Sequence, residues 1–337
     1  MSLSRIRSKA TFPVVVGALL VLLLLASVLS LWVGHGDLSD VALRAAFLEL
    51  RGMRVAAAFF AGAALAVGGV MVQGLFRNPL ASPEILGTTA GAALGGKLAL
   101  FFYETVLAGA LVWISPLTLV PLGSLLGALL ALSLLLVIVR VRDDVVVLLL
   151  VGFLLSSLFL ALGGFVMALA QERWELARAL IGFSWGDLSS VGAKQLWMAA
   201  PLVVIGSGAC WFWGKPLDIL LSGDEEARSL GVNVKQTRFW CIVWTSVLTS
   251  AAVGLGGNVG FVGLVVPHAL RPFVGVRHRR LMFCSVILGG AFLVLCDVVA
   301  RVLPTRSEVP LGVVTGIVGA PMFLLLLSRT RREVQLG

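Results

Sequence analysis

The sequence predicts an all-α polytopic membrane protein. Three observations predict it. First, 59% of the residues are hydrophobic and only 13% are charged, with a mean hydropathy of +1.04. A soluble domain of 337 residues needs a far more polar exterior than this composition can supply. Second, the apolar residues come in runs of helix-spanning length, not in the short alternating segments of a β-barrel. Third, 38 glycines are spread through those runs, which suits close approach of helices in lipid.

The elements follow in order. Arg5, Arg7 and Lys9 precede an apolar run at about 12–33. It is long for a signal-peptide core and has no small-x-small cleavage site, so it reads as an uncleaved first span. A charged loop at 34–54 leads to a second span at 55–73. The turn from Arg77 to Pro83 returns the chain to a third span at 87–102, and a fourth follows at 117–139. Arg140, Arg142, Asp143 and Asp144 make a tight charged turn before a fifth span at 145–170. A polar loop at 171–194 precedes a sixth at 195–213. The longest charged insert of the second half covers 215–238.

Inside that insert, Asp224-Glu225-Glu226 opens a short helix, Arg228 lies near its end, and Gly231 stops it. Acids at the start and a Gly at the end match the helix dipole and the usual C-terminal stop. A seventh span covers 239–255. The piece at 259–270 is too short to cross a bilayer, which takes about 20 residues, so it reads as a half-length helix buried in protein. Spans at 281–299 and 310–327 complete ten segments within one transmembrane domain, 1–337, with 214–238 as a loop inside it.

Cations set the expected orientation. Seventeen Lys and Arg fall on the side that holds both termini, eight on the other, and Lys97 lies within a span, which accounts for all 26. The positive-inside rule then places both termini in the cytoplasm. The net charge of +9 is therefore explained by topology and gives no ground for nucleic-acid binding. Cys210, Cys241, Cys284 and Cys296 lie in apolar surroundings without C-x-x-C or histidine spacing. They read as buried small hydrophobes.

Two stretches echo each other. One runs from Gly62 through Gln73 to Arg77-Asn78-Pro79-Leu80 and Pro83; the other runs from Gly260 through Pro267 to Arg271. Each is a small-residue apolar segment that meets proline beside an arginine. In a membrane chain this points to an internal repeat of spans two to five on seven to ten, inverted in topology. The chain has no Gly-x-x-x-x-Gly-Lys-[Ser/Thr] loop, so any ATP chemistry belongs to a partner.

Read together, Arg51-x-x-Arg54, Gly62-Ala-Ala-Leu-Ala-Val-Gly-Gly, Gln73, Arg77-Asn-Pro-Leu-Ala-Ser-Pro-Glu-Ile-Leu-Gly87, Ala227-Arg-Ser-Leu-Gly231, Gly260-Phe-Val-Gly-Leu-Val-Val-Pro-His-Ala-Leu-Arg271, Asp297-x-x-x-Arg301, Glu308-Val-Pro-Leu-Gly312 and Gly319-Ala-Pro-Met-Phe323 resemble the FecCD-like permeases of type II ABC importers. That family takes up iron–siderophores, haem and vitamin B12. The resemblance implies a homodimer in the bacterial inner membrane, with translocation along its two-fold axis by alternating access. It implies two ATP-binding subunits and a periplasmic or lipid-anchored substrate-binding protein. ATP and Mg would sit on the partner ATPase, with no cofactor or metal on this chain, no catalysis by it, and only membrane lipid as a further contact.

The resemblance also assigns residues. Glu225, Arg228, Leu230 and Gly231 would couple to the ATPase. Arg51, Arg54 and Arg301 would receive acidic residues of the binding protein, for which the planar guanidinium fork is suited. The competing reading for Arg301 is a local pair with Asp297, four residues earlier. Asn78, Pro79, Leu80, Arg142, Asp143 and Asp144 would lie near the cytoplasmic gate; for the last three a plain surface turn stands equally. Lys97 either lines the path or pairs internally, for example with Glu104. His268 reads as packing and not as a haem ligand. Cobalamin is the alternative cargo. An ion-gradient-driven secondary transporter is the alternative of another class, and the scarcity of acids within the spans speaks against it.

Overall fold

The computed structural model describes residues 4–34, 41–107, 116–139, 145–189, 191–303 and 308–335. Among these residues the structure is all-α. The helices are α1 (Ser4–Trp32), α2 (Val41–Leu75), α3 (Thr88–Phe102), α4 (Pro116–Val139), α5 (Val145–Leu169), α6 (Trp174–Trp185), α7 (Ala193–Leu220), α8 (Asp224–Ser229), α9 (Val234–Gly256), α10 (Val262–Val274), α11 (His278–Val302) and α12 (Leu311–Gln335). A 3₁₀ turn at Pro83–Leu86 precedes α3 and a π turn at Tyr103–Leu107 follows it. Among the described residues seven helices are long and apolar enough to cross a membrane, namely α1, α2, α4, α5, α7, α9 and α11. Most of α2, α9 and α11 is buried in protein, whereas α1, α4, α5 and α7 turn much of their apolar surface outward.

Glycine backbones set the closest crossings. A Cβ on Gly62 would stand 2.2 Å from the Gly289 carbonyl oxygen, and one on Gly69 would stand 1.9 Å from that of Gly263. These contacts press α2 against α11 and α10. Gly95 and Gly123 do the same for α3 and α4, with a Gly95 Cβ falling 2.0 Å from the Gly123 oxygen. Without a hydrophobic gradient in lipid, such close packing is what holds helices together.

Three elements differ from the sequence reading. The loop expected at 34–54 is helical from Val41, so α2 runs 35 residues and carries Arg44, Arg51 and Arg54 on its first turns. Ala, Leu, Arg and Glu in that stretch are good helix formers, and their propensity outweighs the charge. The loop expected at 171–194 contains α6, whose Leu176 and Leu180 bury one face at i,i+4 spacing. The insert expected at 215–238 shrinks, because α7 continues through Pro216 to Leu220 and α9 begins at Val234.

The expected half-length helix is α10, 13 residues long. Phe261 caps it with φ at 68°, in the left-handed region, and Gly257 holds φ at 69°. The broken backbone between α9 and α10 finds partners in protein. Asn258 N–H donates to Phe183 O at 3.2 Å, and Gly256 O accepts from Asp187 N–H at 3.0 Å. This is how irregular backbone survives at membrane depth. The four cysteines are buried and free.

Candidate functional site

The expected site residues whose placement is described, Lys97 apart, gather at the two ends of the bundle. At one end α8 is held by a charged latch. Asp224, its first residue, accepts from Arg77 Nη2 at 2.9 Å and from Arg238 Nη2 at 2.7 Å. Arg77 sits in the turn after α2 with φ at 50°, so its side chain leaves the α2 axis toward α8. Asn78 Oδ1 closes the same turn by accepting from Leu80 N–H at 2.9 Å. Proline at 79 and 83 and this Asx turn fix the path of the backbone.

The far end of α8 is capped as its sequence suggests. Val232 N–H donates to Ala227 O at 2.9 Å, Gly231 N–H donates to Arg228 O at 3.0 Å, and Gly231 takes φ of 82°. This is a Schellman stop. Ala227 is buried, while Glu225, Arg228, Leu230 and Gly231 are exposed. Leu230 is 67% exposed, an apolar side chain presented at the tip of a rigid six-residue helix.

Deeper at this end, Gln73 Nε2 donates to Gly263 O at 3.1 Å, and its Oε1 accepts from Arg271 Nη2. The two echoing stretches of the sequence therefore meet through Gln73 and Arg271. His268 packs edge-on against Phe323, with ring centroids 5.6 Å apart.

At the opposite end lies an arginine cluster. Arg51 donates to the carbonyls of Leu31 at 2.8 Å and Gly34 at 3.1 Å. Arg301 donates to the carbonyls of Ser30 at 3.1 Å and Val33 at 2.6 Å. Ser30 and Leu31 lie in the last turn of α1, and Val33 and Gly34 directly follow it, at the helix end where the dipole favours cations. Asp297 sits between two guanidiniums, 2.8 Å from Arg54 Nε and 2.8 Å from Arg301 Nη2. Arg54 also reaches Glu308 at 2.7 Å. Three cations against two carboxylates leave these five side chains with a formal charge of +1.

The local Asp297–Arg301 pair is present. Lys97 lies on α3 toward α5, where a Cβ on Gly163 would be 3.2 Å from its Nζ. No ion pair joins Lys97 to Glu104 among the described residues. Arg142, Asp143 and Asp144 lie outside the described residues. The sequence reading did not bring together Arg77, Asp224 and Arg238, nor Arg54 with Glu308. The signals were there: an acid opening α8, and Arg54, Arg77 and Glu308 each inside a quoted motif.

Among the described residues, apolar helices long enough to cross a membrane, a short exposed helix at one end and an arginine cluster at the other make up a multi-pass membrane architecture. The chain belongs to the FecCD transport family, whose model matches residues 12–329. It is 37% identical over 286 residues to the Fe(3+) dicitrate transport system permease protein FecD of Escherichia coli (strain K12), covering 84% of this chain and 85% of that one. It is also 37% identical over 281 residues to the cobalamin import system permease protein BtuC of Halobacterium salinarum, covering 81% and 70%. Its fold matches a metal-chelate-type ABC transporter solved in an inward-facing conformation, with a TM-score of 0.83 and 31% identity over 94% of this chain and 99% of that one.

Proposed function

We propose that this chain imports a large iron chelate or tetrapyrrole, an iron–siderophore or haem first and cobalamin second, as one half of a homodimer. The observation that carries the reading is α8: a short helix clamped by Arg77, Arg238 and a Schellman stop, with Glu225, Arg228 and Leu230 turned outward. Such a helix can pass a rigid-body shift between subunits. Two ATP-binding subunits would receive it and carry ATP and Mg. The end that bears α8 is cytoplasmic in this reading, and both termini with it. The ten apolar segments would all belong to the membrane domain, α2–α5 repeating on α9–α12 in inverted topology.

The translocation path would run along the two-fold axis, with Asn78, Pro79, Leu80, Arg142, Asp143 and Asp144 near its cytoplasmic gate and Lys97 beside it. The arginine cluster would face the substrate-binding protein. Its guanidiniums are already engaged with α1 carbonyls, Asp297 and Glu308, so acids of the binding protein would act on the cluster's residual positive charge. In this reading the binding protein selects the cargo, and equal identity to an iron-dicitrate permease and a cobalamin permease supports it.

The test is reconstitution of the chain with its ATPase and binding protein in liposomes. Uptake of a ferric chelate that requires ATP and the binding protein is the expected result. Uptake that runs on a proton or sodium gradient without ATP would overturn it. Arg51→Glu with Arg54→Glu should weaken binding-protein affinity in the same liposomes; unchanged affinity removes the docking role.

A further inference from the structure

A groove of about 380 Å³ opens between α7 and α11, with α2 as its floor. Val67, Gly208, Trp211, Phe212, Phe283 and Val286 line it, and a Cβ on Gly208 would meet nothing within 4 Å. Trp211, Phe212 and Phe283 are exposed, so the groove faces the surroundings of the bundle and not its core. It lies toward the end of the molecule that carries α8, since α7 ends and α11 begins there.

At that end the groove meets a built cation. The Arg279 guanidinium lies over the Trp211 ring, 4.2 Å from its centroid, and its Nε donates to Trp211 O at 3.1 Å. Gly214 makes room for it, because a Cβ there would stand 2.7 Å from Arg279 Cγ. The two terminal amino groups of Arg279 have no protein partner among the described residues. Exposed Lys215 follows Gly214, and Arg280 stacks over Phe12 at 5.2 Å. The neighbouring carboxylate, Asp218, is taken by His278, which reaches it through Nδ1 at 2.6 Å and through its backbone N–H at 2.9 Å.

We propose that this groove seats one acyl chain of an anionic phospholipid, whose phosphate is held by the free fork of Arg279 and by Lys215. An apolar slot ending in oriented guanidinium and ammonium donors matches an acyl chain below a phosphate. Lipid tails are as apolar as the groove, so the chain alone gains little by entering it. Selection therefore rests on the headgroup charge. The proposal rests on the orientation proposed above only for which leaflet supplies the lipid; the binding itself does not depend on cargo or on ATP.

Native mass spectrometry of the detergent-purified chain, titrated with phosphatidylglycerol or with phosphatidylcholine of the same chains, tests it. Wild type should retain phosphatidylglycerol in preference to phosphatidylcholine. Arg279→Gln should lower that preference about fivefold, as expected for one cation at a membrane surface. Lys215→Gln, at an exposed site where folding is not at stake, should lower it in the same direction. Gly208→Leu, which fills the slot, should weaken both lipids together. Equal retention of the two lipids by wild type, or an unchanged preference in Lys215→Gln and Arg279→Gln, overturns the proposal, as does Gly208→Leu that binds both lipids like wild type. A transport assay that failed in all variants alike would count against the proposed function and leave these adduct counts standing.

Discussion

Asp224 and Arg77 are 147 positions apart and are joined by a 2.9 Å ion pair that ties the first residue of α8 to the turn after α2. The pair is partly exposed on both sides, so by itself it contributes about 1 kcal/mol or less to stability. In the proposed function the pair matters for coupling, because α2 crosses α10 and α11 through glycine backbones and a tilt of α8 would reach α2 through Arg77. Arg77→Ala should therefore leave the melting temperature nearly unchanged while uptake per ATP hydrolysed falls. Parallel losses of uptake and hydrolysis would show that α8 does not transmit through Arg77. Arg77→Lys should recover only part, since an ammonium lacks the planar fork.

The pair Asp297–Arg301 predicts a different outcome. Both side chains are nearly inaccessible, at 1% and 3%, and Arg54 leans on the same carboxylate. Asp297→Asn would strand buried guanidinium charge, a loss on the order of 3–5 kcal/mol. Thermal unfolding of the detergent-purified chain should drop sharply for Asp297→Asn and much less for Glu308→Gln, whose side chain is 28% exposed. Equal drops would mean that the cluster is not organised around Asp297.

Gly69→Ala should abolish accumulation of folded protein. A Cβ there would lie 1.9 Å from the Gly263 oxygen, a backbone atom that cannot step aside. Gly17→Ala, where nothing lies within 4 Å, should accumulate normally. Membrane-fraction yield measured by size-exclusion chromatography distinguishes the two.

Gly231→Ala places a side chain at φ of 82°, at a cost of about 1–2 kcal/mol in the left-handed region. The Schellman stop should loosen. Hydrogen exchange in the Asp224–Leu230 amides should then accelerate by about tenfold, while exchange in α9 stays unchanged.

How much was legible in the sequence differs by element. The half-length α10 could be read because the apolar run at 259–270 is too short to span. Its start and end still shift by three or four residues, because Phe261 takes a left-handed cap that no local pattern announces. The α8 helix could be read from acids at its start and Gly231 at its end. The α6 helix was hidden, since Trp174–Trp185 carries charges at a spacing that resembles a loop and its apolar face is only two turns long. The arginine cluster was legible as a set of cations and not as a network. Arg54 meets Asp297 and Glu308 across 243 and 254 positions; the crossing of α2 with α11 brings up Asp297, and the stretch before α12 brings up Glu308. The carbonyls at the end of α1 that hold Arg51 carry no side-chain signature at all.

The central claim is that α8 delivers this permease to an ATP-hydrolysing partner. The most direct measurement is co-purification of that partner from native membranes with tagged wild type and with the double variant Arg228→Glu, Gly231→Pro. An ATPase subunit retained by wild type and lost from the double variant, with the variant still folded by size-exclusion chromatography, is the predicted result. Retention of the ATPase by both proteins, or its absence from both together with uptake driven by an ion gradient, would contradict the claim.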